Sequence, residues 1–140
     1  MSASGQNSAG GAVELKVLLV DDSPTNLRVT GASLERLGCS VRTAASGEEA
    51  LEAIEVESFS LVMLDYQMPG LNGPETASRI REMLKEAAPP MIALTGDVDI
   101  DVFRTCREAG MRLVLKKPLK RDHLEAIVTR LRELDDKAKA

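Results

Sequence analysis

Short apolar runs alternate with longer amphipathic stretches along nearly the whole chain. Leu15 to Val20 is a Val/Leu-rich run, the pattern of a strand buried on both faces. Ser23 can cap a following helix, with Pro24 in the first helical position, where a missing N–H costs nothing. Leu27, Leu34 and Leu37 form the inward stripe of that helix, and Gly38 ends it as a left-handed cap. A short strand is expected from Val41 to Ala45. Ser46 and Glu49 then have the spacing of a reciprocal capping box, opening a helix that buries Ala50, Leu51 and Ile54. A third strand, Leu61 to Leu64, ends at Asp65. Beyond the Met68-Pro69-Gly70 turn the pattern predicts a helix from Pro74 to Lys85 and a strand from Met91 to Leu94 that ends at Thr95. A helix from Asp99 to Ala109 is stopped by Gly110, and a fifth strand covers Leu113 to Lys116, just short of Pro118. Leu124, Ile127, Val128, Leu131 and Leu134 mark the last helix. Five successive β/α units specify an α/β fold on a parallel sheet.

Length and composition narrow this further. The 140 residues suffice for one domain with a real core but not for two. Residues 1–14, MSASGQNSAGGAVE, bury no apolar surface and are expected to be a flexible leader, with the domain over 15–136 and a tail over 137–140. The charge-rich end, Arg130 to Lys139, has the composition of a solvated helix end. With two Phe, one Tyr and no Trp, the interior must be built from Leu, Val, Ile, Ala and Met. Net charge is −4 and no Lys/Arg block is present, which argues against direct nucleic-acid binding. Cys39 and Cys106 are isolated, without C-x-x-C spacing, and read as small, partly buried residues rather than a disulfide. No run approaches the ~20 apolar residues of a membrane span and no signal peptide is evident, so a cytoplasmic protein without membrane insertion is expected.

The chemistry gathers just after the strands. In open parallel sheets ligands bind at the carboxyl ends of strands, where loops and helix N-termini converge. Asp21 and Asp22 follow the first strand, Asp65 the third, Thr95 the fourth and Lys117 the fifth. An acidic pair after a strand is often only a cap or a solvated loop. Three acids, a hydroxyl and an ammonium on one rim are hard to produce by chance. Crowded carboxylates repel and raise one another's pKa, and a divalent cation relieves that cost. Hard oxygen ligands suit Mg²⁺, which accepts one or two carboxylates together with phosphate oxygens. A phosphoryl group so neutralised can be attacked by a carboxylate. Lys117 adds a second positive charge, and the Thr95 hydroxyl can donate to a phosphate oxygen.

These residues lie in Val20-Asp21-Asp22-Ser23, Asp65-Tyr66-Gln67-Met68-Pro69-Gly70-Leu71-Asn72-Gly73, Ala93-Leu94-Thr95-Gly96 and Lys116-Lys117-Pro118-Leu119. Through them the chain resembles the receiver domains of response regulators and hybrid histidine kinases over roughly Leu15 to Asp135. The resemblance implies a doubly wound, flavodoxin-like (βα)5 three-layer sandwich with strand order 2-1-3-4-5. It implies that Asp65 is phosphorylated by a phosphohistidine on a histidine kinase or phosphotransfer protein, in a two-component phosphorelay read by a downstream effector. Mg²⁺ would be held by Asp22, Asp65 and the main-chain carbonyl of Gln67, with Asp21 acting mainly through metal-bound water. Thr95 would move toward the phosphoryl group and Lys117 would pair with it, the Lys117–Pro118 bond being cis. Asn26, the Gln67-Met68-Pro69 turn and Ala109-Gly110-Met111 resemble receivers attached to hybrid kinases most.

Two positions depart from the family's usual pattern. Val114 stands where Tyr or Phe is common, so Thr95 has no aromatic rotamer to couple to; a plain core residue is the favoured reading. Gly96 stands where alanine is frequent. His123, the only histidine, opens an amphipathic helix and is expected on the surface. Among other classes, dehalogenase-type phosphatases need a second aspartate two residues after the nucleophile, where this chain has Gln67, so an enzyme acting on external substrates is not expected. A flavin module would find its phosphate repelled by Asp21 and Asp22. A degenerate receiver that binds partners without phosphorylation is the remaining alternative.

Overall fold

The computed structural model describes residues 14–139, with side chains through Leu134. Most of the expected leader therefore lies outside the described residues; Glu14 is exposed and Leu15 is already core. The elements are β1 (Lys16–Val20), α1 (Pro24–Arg36), β2 (Ser40–Ala44), α2 (Gly47–Val56), β3 (Leu61–Asp65), α3 (Gly73–Leu84), β4 (Met91–Thr95), α4 (Ile100–Glu108), β5 (Leu113–Lys116) and α5 (Arg121–Lys139). All strands are parallel, in the order β2-β1-β3-β4-β5.

Because successive strand residues point to opposite faces, the continuous apolar runs of β1, β3 and β4 feed two cores at once. Val17, Leu19, Leu61, Met63, Ile92 and Leu94 meet Leu34 of α1 and Leu124 and Val128 of α5. Leu18, Val20, Val62, Leu64, Met91 and Ala93 meet Ala50 and Ile54 of α2, Ala77 and Ile80 of α3 and Cys106 of α4. Each fully buried Leu or Ile contributes about 1.5–3 kcal/mol relative to exposure. Both cysteines are fully buried rather than partly so, and they belong to different cores on opposite faces of the sheet. The edge strand β5 is covered less well: Val114 packs half-buried against the second core, as a core strand residue would, and Leu113 stays 42% exposed.

Helix ends follow their capping residues. Ser23 accepts the Asn26 N–H at the start of α1, Asp99 caps α4, and Gly38 and Gly110 take the left-handed conformations (φ 89° and 92°) that close α1 and α4. One expected cap is different. Ser46 does accept the Glu49 N–H, but the Glu49 carboxylate takes the Ala45 N–H, one residue before the cap, so the reciprocal box is not formed there. It is formed instead at α3, where Asn72 and Glu75 bond each other's main-chain N–H. Ala53 rather than Leu51 is fully buried in α2, with Leu51 packed at the margin. β2 is shifted one residue toward the N-terminus, and α3 stops at Leu84, followed by a 3-10 turn over Lys85–Ala87. His123 is exposed, as expected.

Candidate functional site

The strand ends bring the expected residues to one rim. Asp21 follows β1, tied to β2 by its N–H to the Ala44 carbonyl at 3.1 Å. Asp65 is the last residue of β3, paired in register with Leu94, and the next N–H, that of Tyr66, reaches the Leu94 carbonyl at 2.7 Å. Thr95 ends β4, and its carbonyl takes the Lys117 N–H at 2.7 Å, which anchors Lys117 just beyond β5. The Lys117–Pro118 peptide is cis.

Asp21 and Asp65 are buried, at 2% and 6% exposure, whereas Asp22 is exposed. One carboxylate oxygen from each of the three lies within 4.8 Å of the other two. The Lys117 ammonium stands between the buried pair, 3.1 Å from Asp65 Oδ1 and 3.7 Å from Asp21 Oδ2. Burial pushes the Asp65 carboxyl above the ordinary carboxylate range. The hydrogen bond from Lys117 opposes that shift, and the nearby charges of Asp21 and Asp22 add to it. One monovalent ammonium thus contacts two acids of a cluster of three, and such a cluster of hard oxygens fits a divalent cation.

The α3 helix can start close behind Asp65 only because residue 73 is glycine. A Cβ there would sit 2.5 Å from the Asp65 carbonyl oxygen. The Gly73 N–H instead bonds the Tyr66 carbonyl at 3.0 Å, which closes the intervening loop. Gln67 is exposed in that loop.

Thr95 is brought to the rim, where its hydroxyl is engaged by the main chain of Asp97. Its Oγ1 donates to the Asp97 carbonyl at 3.1 Å and accepts the Asp97 N–H at 3.3 Å, so it is bound into the turn toward α4. Two supports of Asp21 lie outside the set expected from the strand ends: the Ser23 N–H donates to Oδ1 at 2.9 Å and the Asn26 amide to Oδ2 at 3.2 Å. The signal for Asn26 was its place five residues after Asp21 in the first turn of α1; nothing in the sequence said which way its side chain turns.

Among the described residues no helix is long and apolar enough to cross a membrane. The model of the response regulator receiver domain matches residues 17–129. The chain is 38% identical over 116 residues to the sensor histidine kinase GacS of Pseudomonas protegens, covering 81% of this chain and 13% of that protein. It is 34% identical over 119 residues to hybrid signal transduction histidine kinase L of Dictyostelium discoideum, covering 81% of this chain and 7% of that one. The chain thus spans less than a fifth of the length of these relatives. A solved receiver domain of a sensor histidine kinase from Pseudomonas aeruginosa PAO1, with a magnesium ion coordinated in its active site cleft, superposes with a TM-score of 0.78 at 32% identity, over 86% of this chain and 99% of that one. The strand order, the acids at the ends of β1 and β3 and these likenesses converge on one conclusion: the chain belongs to the response regulator receiver domain family.

Proposed function

We propose that Asp65 accepts a phosphoryl group from a phosphohistidine of a histidine kinase or histidine phosphotransfer protein, and that the domain acts as a switch in a cytoplasmic phosphorelay. The observation that carries this reading is the Lys117 ammonium 3.1 Å from a buried Asp65, with two further acids close by. Asp22, Asp65 and the main-chain carbonyl of Gln67 would hold Mg²⁺, with Asp21 as an outer carboxylate; bound there, the ion offsets charge on the phosphoryl oxygens. An Asp65 carboxylate oxygen attacks phosphorus in line, forming the P–O bond as the P–N bond to the donor imidazole breaks and its electron pair returns to the ring. Lys117 then exchanges a carboxylate partner for a phosphoryl oxygen.

Thr95 transmits the event. Donating to a phosphoryl oxygen requires its hydroxyl to leave the Asp97 carbonyl, which frees the turn before α4. That helix has a light hold on the body: Cys106 is its one fully buried residue, while Ile100 and Phe103 are 66% and 43% exposed. Val114 offers no ring to rotate inward, so the response passes through the Thr95–Asp97 link and α4 to an effector protein. Turnover is confined to the domain's own phosphorylation and dephosphorylation. The convergence of Asp22, Asp65 and Lys117 supports phosphorylation over a phosphorylation-independent binding module. Incubation with acetyl phosphate and Mg²⁺, followed by intact-mass measurement, is expected to add one phosphoryl group, and none in Asp65→Asn. No mass gain in the parent would sink the proposal.

A further inference from the structure

Asp21 is the most buried acid of the cluster, and the chain itself holds both of its oxygens. Oδ1 takes the Ser23 N–H at 2.9 Å and Oδ2 the Asn26 side-chain amide at 3.2 Å. The Lys117 ammonium lies 3.7 Å from Oδ2 as an ion-pair partner. Asn26 can reach Asp21 because α1 begins at Pro24, which sets residue 26 in the first turn, beside the end of β1. The helix does not need that amide for its own cap. The capping bond runs from the Asn26 main-chain N–H to Ser23 Oγ, at 3.2 Å, and any residue but proline could supply it. The side-chain amide is therefore spent on Asp21 alone among the hydrogen bonds it makes within the described residues.

We infer that Asn26 is a positioning residue of the phosphorylation site: its amide fixes the orientation of the Asp21 carboxylate toward a cation held by Asp22 and Asp65. This rests on the reading of Asp65 as the phosphoryl acceptor. A carboxylate bonded at one oxygen can turn about its χ2 axis, and bonds at both oxygens remove that freedom. Without the amide, Oδ2 keeps Lys117 as its neighbour, and a charge-to-charge attraction replaces a neutral donor. The carboxylate would then turn toward the ammonium and away from the cation.

The test is calorimetric titration of the unphosphorylated protein with Mg²⁺ alone, for the parent, Asn26→Ala, Asp21→Asn and the double variant. A hydrogen bond to a charged group is strong enough to change an equilibrium constant about tenfold. Asn26→Ala is expected to raise the Mg²⁺ Kd by about that factor in the parent and to leave it unchanged in the Asp21→Asn background, because the two act as one unit. Asn26→Leu keeps a side chain of similar size and adds no charge but cannot donate, and it is expected to weaken binding as well. A parent-like Kd in either Asn26 variant, or the same loss with and without Asp21, overturns the inference. Phosphorylation by acetyl phosphate distinguishes failure of the Asp65 site from failure of the Asn26 role. A parent that binds no Mg²⁺ and takes no phosphoryl group overturns both; a parent that does both while Asn26→Ala matches it overturns only the role of Asn26.

Discussion

Asp65→Asn is expected to stabilise the metal-free protein at neutral pH, although it removes the residue on which the proposed function depends. Two carboxylate oxygens 4.8 Å apart repel by about 3.5 kcal/mol at an effective dielectric constant of about 20. Asp21 imposes at least that on Asp65, and Asp22, being exposed, adds a screened fraction of it. Lys117 at 3.1 Å returns about 5 kcal/mol by the same arithmetic. The charges nearly cancel, so the burial of an ionised carboxylate at 6% exposure decides the sign, and burial is also the main cause of its raised pKa. Asparagine keeps the shape and an acceptor oxygen for Lys117 without the charge, for a net gain of about 1–2 kcal/mol. In a domain of this size that is roughly 3–8 °C in Tm. Because the folded pKa is raised, the penalty is absent below the unfolded value of about 3.9 and develops as pH rises through the folded one. The difference between variant and parent should therefore shrink on acidification. Saturating Mg²⁺ should close it from the other side, since a ligand at about a hundred times its Kd stabilises by about 2.7 kcal/mol and the variant has lost one of its acids. Urea unfolding in EDTA at neutral and acid pH, and again in Mg²⁺, measures each term. A variant less stable than the parent in EDTA at neutral pH, or a difference unchanged on acidification, would refute the account of charge and burial at this site.

Lys117→Gln removes the one cation between Asp21 and Asp65, so the metal-free protein should lose about 1–3 kcal/mol while Mg²⁺ binds more tightly; urea unfolding and calorimetry report the two, and weaker Mg²⁺ binding would contradict the placement of Lys117 as a competitor for the acids. Gly73→Ala pushes a methyl group toward main-chain atoms of Asp65 that cannot move aside, and should cost about 1–3 kcal/mol with slower phosphorylation by acetyl phosphate, whereas Gly96→Ala, whose added Cβ meets nothing within 4 Å, should leave stability unchanged. An equal effect on stability at the two glycines would show that the close approach behind Asp65 is not what constrains residue 73.

The fold was legible because each strand is a short apolar run between strong stop signals. Leu61 to Leu64 can be little else than a strand buried on both faces, and the two cores found on either side of it follow from the alternation of its side chains. The differences fall where local signals compete. Ser46-x-x-Glu49 and Asn72-x-x-Glu75 both carry the spacing of a capping box, but a carboxylate can serve the N–H before the cap as readily as the cap's own, and Glu49 does so. Leu51 yielded its place to Ala53 because the position on the helix, not the size of the side chain, decides which residue faces the sheet.

The rim residues were legible for a different reason: a strand end is fixed by the strand, so Asp21, Asp65 and Thr95 could be placed from main-chain registry alone. What the registry does not fix is the direction of a short polar side chain with several partners in reach. Thr95 could serve the site or its own turn, and it serves the turn, bonded to both the N–H and the carbonyl of Asp97. Asn26 could face solvent or Asp21, and it faces Asp21. These two choices separate the parts of the device. The Asn26 amide is bonded to Asp21, and on the proposed function the Thr95 hydroxyl, bonded to Asp97, is the group that would change partners. Under the proposed function, with Val114 rather than a ring on β5, the Thr95 hydroxyl is a link between Asp65 and the turn before α4. On that proposal, exchanging the Asp97 carbonyl for a phosphoryl oxygen would release the turn from Thr95.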